Sequence, residues 1–207
     1  MKIHKMTLGL FAVNNYLIHS ENSRKAILID ACEDYPSILN TISENNLELV
    51  YLINTHGHAD HMAGNRAILE ATGAKLLAHP KAVSLLLDPK LNLSVMMTPV
   101  TSPEPDRLLE EGDSVTLDDI HLNVLFTPGH APGHISLIGD GLAFSGDVIF
   151  NGSIGRTDFP GCSYADLERS IREKIYTLPD ATILYNGHGP ETTVGHEKAT
   201  NPFVRPE

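Results

Sequence analysis

The residues of this chain best suited to chemistry are its histidines, eleven in all, and six of them fall in three short glycine-bearing segments. These are Thr55-His56-Gly57-His58-Ala59-Asp60-His61, Pro128-Gly129-His130-Ala131-Pro132-Gly133-His134 and Asn186-Gly187-His188-Gly189-Pro190. In an extended segment alternate side chains share a face, so His56, His58 and Asp60 point to one side while His61 follows where the chain turns into a helix. Imidazole nitrogens and carboxylate oxygens converging in this way suit a borderline cation, zinc first, with iron or manganese also accommodated. A thiolate-rich zinc finger is excluded, because Cys32 and Cys162 are the only cysteines. His130 stands alone in a Pro-Gly turn after an apolar stretch. Asp147 is an isolated carboxylate in the apolar run 142–150, where an unpaired buried charge costs several kcal/mol and a metal is one partner that removes the cost. His188, between two glycines at a strand end, lets the backbone turn sharply and present its ring.

The elements that must position these residues read as alternating strands and helices. Apolar β-type runs at 25–30, 50–53 and 74–78 are each followed by helical spacing: Ile38, Leu39 and Ile42 after Pro36, a stretch ending at Gly73, and 81–87 opened by Pro80. Residues 88–106 carry Pro89, Pro99, Pro103 and Pro105 without a period and read as a long surface loop, placed to act as a lid or simply inserted. Strands follow at 114–117, 121–126, 135–138 and 142–150, then a helix capped by Ser163 with Leu167, Ile171 and Ile175 on one face, and a last strand at 181–185. With no repeat and no linker, one α/β domain covering 1–207 is the economical reading.

Composition narrows the function. Fifteen basic against 26 acidic side chains leave a net charge of −11, a field that repels nucleic acid and anionic membranes. Apolar runs are too short to span a bilayer. Two cysteines suit a reducing compartment, and the apolar stretch from Met6 to Val13, interrupted by Asn14-Asn15, lacks a cleavage site, so a cytoplasmic location is expected.

His-x-His-x-Asp-His, then a single His, an Asp and a His, in this order, resembles the metallo-β-lactamase superfamily. The resemblance implies an αββα sandwich, two mixed sheets face to face with helices outside, and a dinuclear site at one edge. Carried over, His56, His58 and His130 would bind one divalent metal ion, Asp60, His61 and His188 the other, and Asp147 would bridge. Within that superfamily, Gly146-Asp147-Val148-Ile149-Phe150, Gly155-Arg156-Thr157-Asp158-Phe159, Gly187-His188-Gly189-Pro190 and Asn201-Pro202-Phe203 are similar to the short single-domain branch of glyoxalase II-like hydroxyacylglutathione hydrolases. That branch implies hydrolysis of a small-molecule thioester such as S-lactoylglutathione, by a bridging hydroxide that two metal ions generate. Asp60 would be the catalytic residue that orients the nucleophile, and Arg156 and Arg205 would meet substrate carboxylates, with an Arg156–Asp158 salt bridge as the alternative for the former. The longer hydrolases continue into a helical domain, whereas this chain has 207 − 188 = 19 residues after His188. A mononuclear-iron persulfide dioxygenase on His56, His130 and Asp147 is the alternative reading, with a lactonase or other ester or amide hydrolase of the same fold behind it. His134 is expected behind the ligands and His196 at the substrate entrance; His4, His19 and His121 read as surface or satisfied core positions.

Overall fold

The computed structural model describes residues 1–206 and has two six-stranded sheets. The first runs in the order β1 (Lys2–Leu8), β2 (Val13–His19), β3 (Lys25–Ile29), β4 (Glu48–Ile53), β5 (Lys75–Ala78), β6 (Arg107–Leu108). The second contains β7 (Ser114–Leu117), β8 (Ile120–Phe126), β9 (Ile135–Gly139), β10 (Leu142–Gly146), β13 (Ile183–Asn186) and β14 (Thr192–Thr193), in the order β14-β13-β10-β9-β8-β7. A small ribbon, β11 (Ile149–Phe150) with β12 (Ser153–Ile154), stands apart. Antiparallel pairs β1–β2 and β2–β3 give way to parallel pairing from β3 to β6, and β10–β13 is parallel within an otherwise antiparallel second sheet.

The period-two alternation of each strand divides its side chains between two layers. Ile27 and Ile29 of β3 join Ile53, Leu77, Leu122, Val124, Ile135, Leu137 and Phe144 in the core between the sheets. Leu28, on the other face of β3, packs with Leu17, Leu52 and Leu76 under Ile38 and Ile42 of α1 (Tyr35–Glu44) and Ile68 of α3 (Asn65–Thr72). The outer face of the second sheet is covered by Leu167 of α5 (Tyr164–Ser170), by Ile171 and Ile175 in the π-helical turn that continues it, and by Val194 of α6 (Val194–Thr200). Four layers result, the αββα sandwich. Helix ends follow their local signals: Gly73 closes α3 in the left-handed conformation at φ 70°, and the Ser163 side chain accepts from the Asp166 amide to open α5. No helix among the described residues is long and apolar enough to cross a membrane.

The structure corrects several expectations. Asn14 and Asn15 do not interrupt an apolar segment; both are fully buried within β2, and each side chain is hydrogen-bonded. The run 142–150 is not one strand, because Gly146 turns the chain at φ 50° and swings Asp147 toward the site. The long loop expected at 88–106 is present and carries internal order: Asn92 accepts from the Ala59 amide through its carbonyl and donates to the Val100 carbonyl, and Ser94–Met96 forms a 3₁₀ turn. The helix over 81–87 divides into a 3₁₀ turn, Pro80–Ala82, and α4 (Val83–Leu87).

Candidate metal centre

The histidine segment leaves β4 and enters the short helix α2 (Ala59–Met62), so the expected extended alternation does not run through it: His56 lies at a bend, His58 on extended backbone, and Asp60 and His61 on the first helical turn. His130 comes from the loop between β8 and β9, Asp147 from the turn after β10, and His188 from the loop after β13. All seven meet at one edge of the sandwich. The donor atoms of His56, His58 and His130 lie within 4.8 Å of one another, as do those of His56, His61 and Asp147 and those of Asp60, His61 and His188. Asp147 stands between the outer sets, with one oxygen 3.5 Å from His130 Nε2 and 3.4 Å from His188 Nε2, and the other 3.4 Å from His61 Nε2. Asp60 Oδ2 is 3.5 Å from His188 Nε2 and 3.8 Å from His61 Nε2. His58 Nδ1 is 2.9 Å from His130 Nε2.

Hydrogen bonds behind the rings fix which nitrogen faces inward. A carbonyl only accepts, so His130 donates from Nδ1 to the Arg156 carbonyl at 2.9 Å and His188 from Nδ1 to the Phe11 carbonyl at 3.0 Å. His61 donates from Nδ1 to Asp30 Oδ2 at 2.8 Å. Thr55 Oγ1 gives its proton to that same oxygen and therefore accepts from His56 Nδ1 at 3.1 Å. In each case the nitrogen engaged behind the ring is Nδ1, so Nε2 is the one turned toward the centre. His134 is fully buried and lies behind Asp147, accepting from the Asp147 amide at 3.0 Å. Close approach is required as well: a Cβ on Gly187 would lie 2.0 Å from Asp147 Oδ1, so only glycine lets the His188 loop reach the carboxylate.

The charges are tightly balanced. Burial holds His56 well below its ordinary value and His58 down at about 3, with neighbouring histidines adding to the effect. Burial also opposes charge on Asp147, yet the imidazoles of His61, His188 and His130 close beside it outweigh this and hold the carboxyl well below the usual range. His188 is desolvated, but hydrogen bonds to Asp147 and Asp60 push it up to about 10. Two buried donor atoms, His56 Nε2 and Asp147 Oδ1, have no hydrogen-bond partner. Buried polar atoms are paired in the great majority of cases, so two orphans converging in a nest of ligand-type side chains fit a cation. The residues present therefore match two divalent metal ions.

A cavity of about 720 Å³ opens onto the centre, lined by His58, Asp60, His130, Asp147 and His188 and walled by Phe11, Leu93, Met97, Phe150, Ile154 and Phe159. Arg156 borders it, but its guanidinium already grips Asp158 through two hydrogen bonds of 2.9 and 2.7 Å and lies 4.3 Å from the Phe159 ring centroid. Arg205 is not brought to the cavity: it donates to the Ala199 carbonyl at the end of α6. His196, exposed on α6, lies away from it too. Sequence reasoning missed Asp30, although an acid ending the apolar run 25–30 carries the same signal that singled out Asp147. It also missed Phe11, whose carbonyl serves His188, and no local pattern marks that role.

The metallo-β-lactamase superfamily model matches residues 8–188. The chain is 36% identical to "Probable metallo-hydrolase YqgX" of Bacillus subtilis, over 99% of this chain and 98% of the relative. It is 35% identical to "Hydroxyacylglutathione hydrolase GloC" of Haemophilus influenzae, with 99% and 98% covered. Among solved structures, the BLEG-1 B3 metallo-β-lactamase superposes with a TM-score of 0.93 at 34% identity, covering 98% of this chain and 99% of that one. The di-iron-bound form of TTHA1623 gives 0.84 at 32% identity, covering 97% and 100%. Fold, ligand geometry and these matches together place the chain in the metallo-β-lactamase superfamily, as a metallo-hydrolase.

Proposed function

We propose that the protein hydrolyses a small-molecule thioester, with zinc as its metal. The observation that carries this reading is the convergence of seven donor side chains, two with orphaned buried atoms, on the floor of an apolar-walled cavity. The likeness to a hydroxyacylglutathione hydrolase supports the thioester. His56, His58 and His130 would hold one ion, Asp60, His61 and His188 the other, with Asp147 between them; the pair would supply Lewis acidity and an activated water.

The protein's own groups do the rest. Asp60, with its side chain 21% exposed to the cavity, is the carboxylate positioned to orient the attacking water and accept its proton. The water oxygen bonds to the carbonyl carbon, the C–S bond breaks, and the departing thiolate takes the electron pair without needing a strong acid. Phe150, Ile154 and Phe159 exclude bulk water from the reacting carbonyl. A glutathione conjugate is the first candidate, although Arg156 would have to release Asp158 to grip a substrate carboxylate.

The test is metal content of the purified protein together with hydrolysis of S-lactoylglutathione and a neutral thioester after reconstitution with zinc, iron or manganese. Close to two ions per chain with turnover is the expected result. One iron per chain, no hydrolysis and oxygen uptake with glutathione persulfide would overturn it in favour of sulfur oxidation.

A further inference from the structure

The cavity over the metal centre does not end at Asp60. A second lobe of about 410 Å³ continues past Phe11, Ala59, Asp60 and Met97, the four residues common to both spaces. It runs between the tip of the β1–β2 hairpin and the 88–106 loop, and its further walls come from Leu10, Tyr35, Ala63, Thr98 and Val100. Large apolar side chains are left in solvent here: Leu10 is 78% exposed, and Phe11 and Met97 are each 47% exposed. Contiguous apolar surface of this kind marks a place where something binds.

Charge says what does not bind. Among the described residues lining the lobe there is no lysine or arginine; its ionisable acids are Glu33 and Asp60. Glu33 is fixed in place by the Leu10 amide, which donates to it at 2.6 Å. In the first lobe the one guanidinium is already engaged by Asp158. A substrate arm ending in a carboxylate would meet two acids and no free partner, whereas an uncharged hydrocarbon arm would cover Leu10, Phe11 and Met97.

Resting on the thioester reading of the site, we infer that the lobe beyond Asp60 is a subsite for an uncharged, apolar chain of the substrate, carried on its acyl or its thiol side. Along this arm specificity then comes from chain length, read by the hairpin tip and the 88–106 loop, and not from recognition of anionic groups.

The experiment uses the metal-loaded protein and two thioester series: acetyl, butyryl, hexanoyl and octanoyl esters of one neutral thiol, and acetyl esters of ethanethiol, butanethiol and hexanethiol. In one series kcat/KM should rise about two- to fourfold per added methylene, which identifies the arm. The carboxylate-ended adipoyl ester should fall about tenfold below its hexanoyl counterpart. Thr98→Trp, at an exposed position that reaches only the second lobe, should flatten the rise, and the long-to-short ratio is read within each variant so that the folded fraction cancels. Flat values in both series, or preference for the adipoyl ester, would overturn the inference. A second readout needs no turnover: the isotope-labelled Met97 methyl resonance should shift on titration with octanamide, and the shift should vanish in Thr98→Trp. If no thioester is hydrolysed the thioester reading falls, while the Met97 resonance still decides the lobe: an unmoved signal refutes it, a shift lost in the variant supports it.

Discussion

Replacing Asp30 by asparagine should weaken metal binding without disturbing the fold around it. Asp30 is 2% exposed and sits at φ 59°, a left-handed conformation that asparagine tolerates, so the substitution isolates the carboxylate from backbone strain. One oxygen accepts from the Thr55 amide, and the other accepts from both Thr55 Oγ1 and His61 Nδ1, each at 2.8 Å. If the amide oxygen keeps the Thr55 amide, the new NH₂ group donates where two protons were previously received. His61 must then accept at Nδ1 and carry its proton on Nε2, the nitrogen 3.4 Å from Asp147 and 3.8 Å from Asp60. A charge-assisted hydrogen bond to a buried carboxylate is worth about 1.5–3 kcal/mol, which corresponds to a loss of about 10- to 100-fold in affinity for the ion that uses His61. Competition of the protein with a chromophoric chelator measures this directly, and the weaker ion should be lost first. Two ions bound within about threefold of the unaltered protein would refute the claim that the Asp30 contact sets the tautomer of His61.

Asp60→Asn should lower kcat by about a hundredfold or more through loss of the proton acceptor, and metal analysis must accompany the assay; unchanged turnover with full metal content would contradict its role. His134→Phe should leave the buried Asp147 amide without an acceptor and cost about 1–3 kcal/mol, seen as a Tm lower by several degrees in the metal-free protein. His79 is held down to about 4 by burial and by Lys81, and its Nδ1 accepts from the Lys81 amide while its ring stacks on Phe126. Because the folded state disfavours its protonation, the stability it contributes is complete above about pH 6.5 and is lost as pH falls toward 4; with solvent screening this amounts to about 1–2 kcal/mol. His79→Gln should therefore show a shallower loss of denaturant stability between those pH values, and an identical slope would count against the neutral ring.

The layers of the fold were readable because alternation does one job per strand: Leu28 between Ile27 and Ile29 marks a strand buried on both faces, and the spacing of Ile38 and Ile42 marks a helix with one face to cover. The cluster of donor side chains was readable because Thr55 to His61 concentrates imidazole and carboxylate groups at a density that a structural loop does not need. What stayed hidden was decided across the chain. Asn14 and Asn15 look like an interruption until their partners are known: Asn14 donates to the Asn186 carbonyl and Asn15 accepts from the Cys32 amide. The helix α6 carries Gly195 within a short polar stretch, and its start is set by Thr193 accepting from the His196 amide. Arg156 shows the limit of composition, since a cation in a loop beside a site can pair with a nearby acid, as this one does with Asp158 in an exposed ion pair.

The same long-range dependence explains how the sandwich makes a rigid centre from loops. The amide of Ile135, at the start of a second-sheet strand, donates to the Thr55 carbonyl at 2.8 Å, which locks the histidine segment of the first sheet to the second. The Asn14 amide donates to the Gly187 carbonyl at 2.7 Å, and the Asn14 side chain donates to the Gly189 carbonyl at 2.9 Å, so the loop that carries His188 is gripped from the first sheet on both sides of the imidazole. The hairpin that supplies this grip also supplies the Phe11 carbonyl behind His188 and the Phe11 side chain in the cavity wall. The position of His188 and one wall of the cavity thus share a backbone segment, and a change at the hairpin tip that moves Phe11 must move His188 with it.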